Sequence, residues 1–272
     1  MSETDNIKRI GLIAGNGKFP IFLCRAAKEK NIQVVAIAIK DETDKSLSEY
    51  ADKIYWVELG QVKSAIELLK KEGLRQAVMA GAVKKITALK QTFKMDEVAR
   101  GILKNSLDKK DNTLLRAVAD RLREDGIELL DSTALLKNFL IKKGVYTAKK
   151  PTASQAEDID FGFKIAKQIA LMDIGQTIAV KNKAIIAVEA IEGTDEAILR
   201  AGSLVAGTVI VKVAREGHDM RFDVPAVGLS TIKTIKAAKA AVLAIEAEKT
   251  LVLDKDEVIK QADKLGICVV AV

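Results

Sequence analysis

Residues 10–20, IGLIAGNGKFP, join an uninterrupted apolar run to a glycine-containing turn and then to the opening of a helix. A strand buried on both faces of a parallel sheet reads as a continuous apolar run rather than an alternating one. The same reading applies to VVAIAI at 34–39, KIYWVEL at 53–59 and AVMAG at 77–81. Helical spacing fills the intervals, from Pro20 and from about 61 to 71, and strands alternating with helices are the signature of a doubly wound parallel α/β sheet. The N-terminal part is therefore expected to be Rossmann-like. Further helices are expected at about 93–105 and 112–123, the second with Leu114, Leu115, Val118 and Leu122 on one face. Gly126 stops it before a short strand, IELL, at 127–130.

Residues 142–155 lack periodicity and contain Lys149, Lys150 and Pro151, which reads as a linker. The expected division is thus an N-terminal domain over 1–141, a linker over 142–155 and a C-terminal domain over 156–272. The next helix opens with Ser154 and Glu157 at capping-box spacing. It carries Ile159, Phe163, Ala166 and Ile169 or Ala170 as its apolar stripe and ends near Met172. Beyond it, QTIAV and AIIAV flank a KNK connection as in a hairpin. A helix from Thr194, the strand GTVIVKVA, a helix after Ser230, the strands AAVLAI and TLVLD, a helix after Asp254 and a last strand, ICVVAV, follow. That order predicts an α+β domain with a mixed sheet.

Composition narrows the function classes. With 272 residues, 49% hydrophobic and 30% charged, the chain can bury a sizeable core and is not disordered over most of its length. No apolar run approaches the roughly 18 to 20 residues of a membrane helix, and MSETDNIKR does not resemble a signal peptide, so a soluble, cytoplasmic protein is expected. Cys24 and Cys268 lie far apart inside apolar segments, as reduced core thiols do. A single histidine, His218, excludes a multi-histidine metal site, so any metal would be held mostly by oxygen. Basic residues outnumber acids 44 to 37, and residues 84–110 hold eight bases against three acids. Aromatic residues that would stack on bases are nearly absent there, so nucleic acid is not an expected partner. A phosphate-bearing small molecule or an anionic membrane surface fits better.

Four segments carry candidate chemistry. In the first, Gly15, Asn16, Gly17, Lys18 and Phe19 follow the first strand, and Pro20 suits a first helical turn. Free amides and the positive end of the helix dipole favour phosphate there. Phe19 and Pro20 stand where a dinucleotide fingerprint has its third glycine, so NAD is supported only by Gly15, Gly17 and by Asp41 at the ribose position. The second segment, Ala80-Gly81-Ala82-Val83, ends another strand of the same sheet, outside whose carboxyl ends ligands lie. The third groups Glu189, Glu192, Gly193, Thr194, Asp195 and Glu196. Either Thr194 caps a helix whose dipole the acids complement, or Gly193 and Thr194 face a phosphate while a carboxylate such as Asp195 holds a divalent cation. In the fourth, HDMRFDVPAVG at 218–228, Arg221 could clamp a phosphate and Asp223 bind Mg²⁺ or orient water; alternatively the two form a surface pair beside the Pro225 turn. His218 reads as a loop residue.

Taken in order, GLIAGNGKFP, AGAV, KKDNTLLRAV, DIGQT, VEAIEGTDEAILRAG, RFDVPAVG and TLVLDKDEVIKQADKLGICVV resemble the LpxI-type UDP-2,3-diacylglucosamine pyrophosphatases of lipid A biosynthesis. The resemblance spans nearly the whole chain, and the EGTD and DVPAVG elements are its specific parts. It implies hydrolysis of UDP-2,3-diacylglucosamine to UMP and 2,3-diacylglucosamine 1-phosphate, Mg²⁺ as the cation, and a homodimer whose substrate lies between two domains. It also implies an essential aspartate at Asp223 and substrate contacts from Gln176, Thr194, the glycine loop and the AGAV turn. Where the family often has Asn, this chain has Ala82, which leaves backbone contacts. Peripheral contact with the inner membrane through the basic stretch accompanies that reading. An NAD-dependent oxidoreductase and a non-enzymatic nucleotide-sugar or lipid-binding protein are the competing classes.

Overall fold

The structure is a computed structural model that describes residues 7–83, 95–106, 111–215, 219–222 and 224–272. The chain divides into two units, Met1–Lys137 with Asp219–Asp223, and Asn138–His218 with Val224–Val272.

Unit 1 contains β1 (Arg9–Ala14), α1 (Phe19–Glu29), β2 (Gln33–Ile39), a 3-10 turn (Lys45–Glu49), β3 (Lys53–Val57), α2 (Val62–Lys71), β4 (Gln76–Ala80), α3 (Glu97–Asn105), α4 (Asp111–Glu124) and β5 (Glu128–Leu129). The strands pair in the order β3-β2-β1-β4-β5, all parallel. From β1 the chain winds outward to β3 and then returns to the other side of β1 at β4. The topological switch point therefore falls between the carboxyl ends of β1 and β4, where the glycine loop and the AGAV turn emerge. Ile10, Leu12 and Ala14 are fully buried, as a central strand requires, and Ile37, Leu69, Met79, Leu122 and Leu129 belong to one core on a single face of the sheet. Phe222 packs against that same core.

Unit 2 contains β6 (Gly144–Val145), α5 (Ala153–Leu171), β7 (Thr177–Lys181), β8 (Ala184–Val188), α6 (Thr194–Leu204), β9 (Val209–Lys212), β10 (Ala226–Val227), α7 (Leu229–Ala237), β11 (Val242–Ile245), β12 (Leu251–Val252), α8 (Lys255–Leu265) and β13 (Cys268–Ala271). Its main sheet, β6-β13-β11-β9-β7-β8, is mixed: β13, β11 and β9 are parallel, and β6, β7 and β8 pair antiparallel to their neighbours. Alternate residues serve two cores. Val209, Val211, Val242 and Val270 pack with Ile159 and Ala166 of α5, whereas Ile210, Leu243 and Val269 pack with Ile198, Ile235 and Val258 of α6, α7 and α8. Rossmann-like and mixed-sheet units are thus both present.

Two local features depart from the sequence reading. The capping box of α5 is formed by Thr152 and Gln155, not Ser154 and Glu157, because Thr152 is the last extended residue after Pro151 and its hydroxyl accepts from the Gln155 amide. Glu157 instead pairs with Lys183 at 2.7 Å. Within 142–155, Gly144–Val145 pairs with β13, and the Thr147 hydroxyl accepts from the Val269 amide. Two residues of strand are too few to leave a periodicity.

In the KNK hairpin, Asn182 and Lys183 adopt φ of 50° and 57°. The buried Asp158 carboxylate of α5 accepts from both of their amides, at 3.0 and 2.7 Å. Asp158→Ala strands two turn amides and should cost about 2 kcal/mol by urea denaturation. An unchanged midpoint would show that water replaces the carboxylate. Both cysteines are free and buried; burial, aided by Asp52, pushes Cys24 up to about 12, which makes it a poor nucleophile. Among the described residues, no helix is long and apolar enough to cross a membrane.

Candidate active site

At the switch point of unit 1 the two turns bond to each other. The Gly15 amide donates to Ala80 O at 2.9 Å, the Asn16 amide to Ala82 O at 2.6 Å, and the Ala82 amide to Asn16 O at 3.2 Å. The glycines follow from this approach: a Cβ on Gly15 would lie 2.5 Å from Ala82 O, and one on Gly81, whose φ is +89°, would lie 2.5 Å from Asn16 O. The amides of Gly15 and Asn16 therefore serve the turn pair. Gly17, Lys18 and Phe19 lie at the start of a helix that has Pro20 in its first turn and no side-chain cap, the kind of helix end that suits an anion. Gly17, Lys18 and Ala82 are exposed and Val83 is half-buried, whereas the side chains of Phe19 and Ala80 belong to the core.

The neighbouring loop after β2 braces this turn. Asn16 Nδ2 donates to Glu42 O at 3.1 Å, and Thr43 Oγ1 donates to Ala14 O at 2.6 Å. Asp41 is exposed there, with φ of 63°. Lys18 pairs with Asp44 at 2.5 Å. The Lys18 hydrogen bond, followed by those from Ser46, lowers the Asp44 carboxyl from 3.8 to about 2. Because the folded value is the lower one, the pair's contribution is present above 3.8 and disappears as pH falls through about 2. Exposure keeps that contribution small. NMR titration should find Asp44 near 2, returning toward 3.8 in Lys18→Met; an identical titration in the variant would refute the pairing.

The segment 219–222 joins unit 1 although the described chain on either side of it belongs to unit 2. Ser132, just past β5, receives it. Its amide donates to Met220 O at 2.9 Å, and its Oγ lies 2.6 Å from both Arg221 O and Met79 O. Asp131 shapes the turn by accepting from the Thr133 amide and hydroxyl, at 2.6 and 2.7 Å. Arg221 is held by Asp219, through Nε at 2.8 Å and Nη2 at 2.6 Å. The pairing lowers the Asp219 carboxyl and raises the guanidinium. Two consequences follow for the sequence reading. Among the described residues the carboxylate partner of Arg221 is Asp219, and a phosphate reaches Arg221 only at the part of the guanidinium that Asp219 leaves open. Asp223 and His218 lie outside the described residues.

In unit 2, Gln176, Glu189, Thr194 and Lys212 meet where β9 ends and β7 begins. Thr194 Oγ1 donates to Glu189 Oε1 at 2.9 Å and accepts from Lys212 Nζ at 3.2 Å, and the Gln176 amide donates to Glu189 Oε2 at 3.3 Å. Thr194 does not cap α6. The N-cap is Gly193, at φ of 88° and without a side-chain bond, which frees the hydroxyl to turn back toward Glu189. Asp195 and Glu196 are exposed in the first turn, where they complement the dipole. Just beyond β9, Glu246 accepts from the Ala214 amide at 2.8 Å and Lys167 donates to Ala214 O at 2.9 Å, so both polar groups at that residue are gripped. Burial raises the Glu246 carboxyl, but Lys249, the Ala214 amide and Lys167 together hold it below its ordinary value. Asp173 pairs with the buried Arg215 at 2.5 Å.

Sequence reasoning missed Ser132, Asp219, Glu189 as a partner of Thr194, and Lys212. For Lys212 a signal existed, since it is the one charge inside GTVIVKVA. Among the described residues, no three His, Cys, Asp or Glu side chains converge as a metal cage. Residues 84–94 and 107–110, most of the basic stretch, lie outside the described residues.

The chain is similar over 98% of its length to a UDP-2,3-diacylglucosamine pyrophosphatase LpxI from Caulobacter vibrioides, at 29% identity over 279 residues and 98% of that protein. Solved structures give weaker matches. Pyruvate carboxylase of Rhizobium etli covers 45% of this chain and 11% of its own at 20% identity and TM-score 0.29. A biotin carboxylase domain of a thermophilic 2-oxoglutarate carboxylase covers 63% and 34% at 17% identity and TM-score 0.28. Similarity that low bears on neither fold nor function. The LpxI N-terminal domain matches residues 9–139 and the LpxI C-terminal domain matches 142–270; with both domains in order along nearly its whole length, the chain belongs to the LpxI family.

Proposed function

We propose that this protein is a hydrolase of lipid A biosynthesis that cleaves the pyrophosphate of UDP-2,3-diacylglucosamine, releasing UMP and 2,3-diacylglucosamine 1-phosphate. The observation that carries the reading is the full-length similarity to a pyrophosphatase of that name. The two polar edges agree with it in kind: hydroxyls, amides and basic groups collected at strand ends suit a ligand with concentrated negative charge. The reaction forms a bond from water oxygen to one phosphorus and breaks that phosphorus's bond to the bridging oxygen, which leaves on the other phosphate.

Catalysis of such a step is mainly positioning and charge stabilisation. In this proposal Asp223 holds Mg²⁺ or orients the attacking water. Mg²⁺, when bound, neutralises charge on the phosphoryl oxygens. The amides of Gly17 and Phe19, the start of α1 and the Lys18 ammonium bind phosphate oxygens in unit 1, and the Ala82 backbone braces their loop through its bonds to Asn16. In unit 2, Thr194, Gln176 and the Gly193 turn hold substrate. Asp195 is the second candidate to hold the cation. Each buried acyl methylene adds about 0.8 kcal/mol to binding, so the lipid moiety supplies much of the affinity. Homodimer formation and peripheral contact with an anionic membrane belong to the same proposal.

The test incubates the protein with UDP-2,3-diacylglucosamine in detergent and follows UMP by chromatography. UMP release that EDTA stops and Mg²⁺ restores is expected. Tight substrate binding without UMP would favour sequestration, and a saturable NADH fluorescence response would favour the oxidoreductase class.

A further inference from the structure

We infer that Ser132 is a positioning residue for the hydrolysis, fixing the backbone of Met220 and Arg221 shortly before Asp223 in the sequence; this rests on the proposed function. The chain enters unit 1 at Asp219 and returns to unit 2 at Val224, so residues 219–222 must be held by unit 1 itself. Two anchors are evident. The Phe222 side chain packs against the unit 1 core, and Ser132 grips the backbone of the two residues before it.

Ser132 is only 1% exposed, so its hydroxyl has no water to fall back on. It stands between two carbonyls, Met79 O and Arg221 O, each 2.6 Å away. One proton serves the two acceptors, which ties the 220–221 backbone to the end of β4. Met79 is followed directly by the Ala80-Gly81-Ala82 turn that bonds the glycine loop. A single side chain therefore sets the catalytic segment against the strand end that carries the proposed phosphate-binding turns. Alanine would remove this tie while keeping the amide bond to Met220 O and the Phe222 anchor. The segment would stay in place but lose its registration, so its loss should appear in turnover rather than in affinity.

The experiment compares wild type, Ser132→Ala and Ser132→Thr in three measurements: kcat and KM for UMP release, the thermal midpoint, and the rate of trypsin cleavage after Arg221, read by mass spectrometry. In Ser132→Ala, kcat should fall by about ten- to a hundred-fold with KM changed by less than about twofold, since a displacement of the order of an ångström has that effect on a positioned group. Cleavage after Arg221 should accelerate. Ser132→Thr, which keeps the hydroxyl, should recover most of the turnover. Unchanged kcat in Ser132→Ala, a loss confined to KM, or an unaltered cleavage rate would each overturn the inference. If wild type releases no UMP, the hydrolase reading and the positioning role fail together, and the cleavage rate then reports only whether Ser132 anchors the segment.

Discussion

Asp223→Ala is expected to lower UMP release from UDP-2,3-diacylglucosamine by on the order of a thousand-fold. Attack by water on a pyrophosphate needs the water placed in line and the developing charge offset, and removal of the carboxylate that does either loses most of that advantage. The fold should survive, because the ring of Phe222 and the Ser132 bonds to Met220 and Arg221 hold the preceding residues. A thermal midpoint close to wild type, with substrate binding largely retained, should therefore accompany the loss of turnover. Asp223→Asn separates the two roles. If Asp223 holds the cation, the variant needs far more Mg²⁺ for any residual rate; if it orients water, the Mg²⁺ requirement stays as in wild type. Near-normal turnover in Asp223→Ala would remove the residue from the mechanism.

Gly81→Ala should destabilise unit 1 by about 3 kcal/mol or more, since it combines a backbone conformation unsuited to an L side chain with a collision. The new Cβ would sit 2.5 Å from Asn16 O and 2.8 Å from the Gly15 carbonyl carbon, both main-chain atoms that cannot swing aside. Two related variants divide the effect. Gly17 has φ of +93° with nothing within 4 Å of an added Cβ, so Gly17→Ala carries conformational strain alone, about 1 kcal/mol. Gly15→Ala carries collision alone, its Cβ meeting Ala82 O at 2.5 Å. Urea denaturation should rank Gly81→Ala as the most damaging and Gly17→Ala as the least. The reverse ranking would mean that the two turns part at little cost and are not a preformed site.

Much of unit 1 is legible in the sequence because its central strands are buried on both faces, and IGLIA, VVAIAI and AVMA can be little else. The order of strands in unit 2 is less so: β9, β11 and β13 are short apolar runs whose pairing depends on partners distant in the chain. The local rules also misplace a cap where two candidates lie side by side, since Thr152–Gln155 and Ser154–Glu157 differ only in which residue first leaves the extended conformation. At the site, glycines mark the turns, but nothing in GLIAGNG or AGAV announces that Asn16 and Ala82 bond to each other. Ser132 is 89 positions from Arg221, and no periodicity links an Asp-Ser-Thr turn after one strand to a loop in the other half of the chain. Among the described residues Asp219 takes the Arg221 guanidinium, a pairing that proximity alone does not single out because Asp223 is equally near in sequence. The insertion of 219–222 into unit 1 is invisible to composition, because Phe222 reads the same whichever core receives it.

The central claim is that water cleaves a pyrophosphate bond, and hydrolysis in H₂¹⁸O tests it most directly. Wild-type protein, Mg²⁺ and UDP-2,3-diacylglucosamine in labelled water should yield UMP and 2,3-diacylglucosamine 1-phosphate, with one ¹⁸O in one of the two products by mass spectrometry; the labelled product identifies the phosphorus attacked. Absence of both products, or products free of ¹⁸O, would contradict the account.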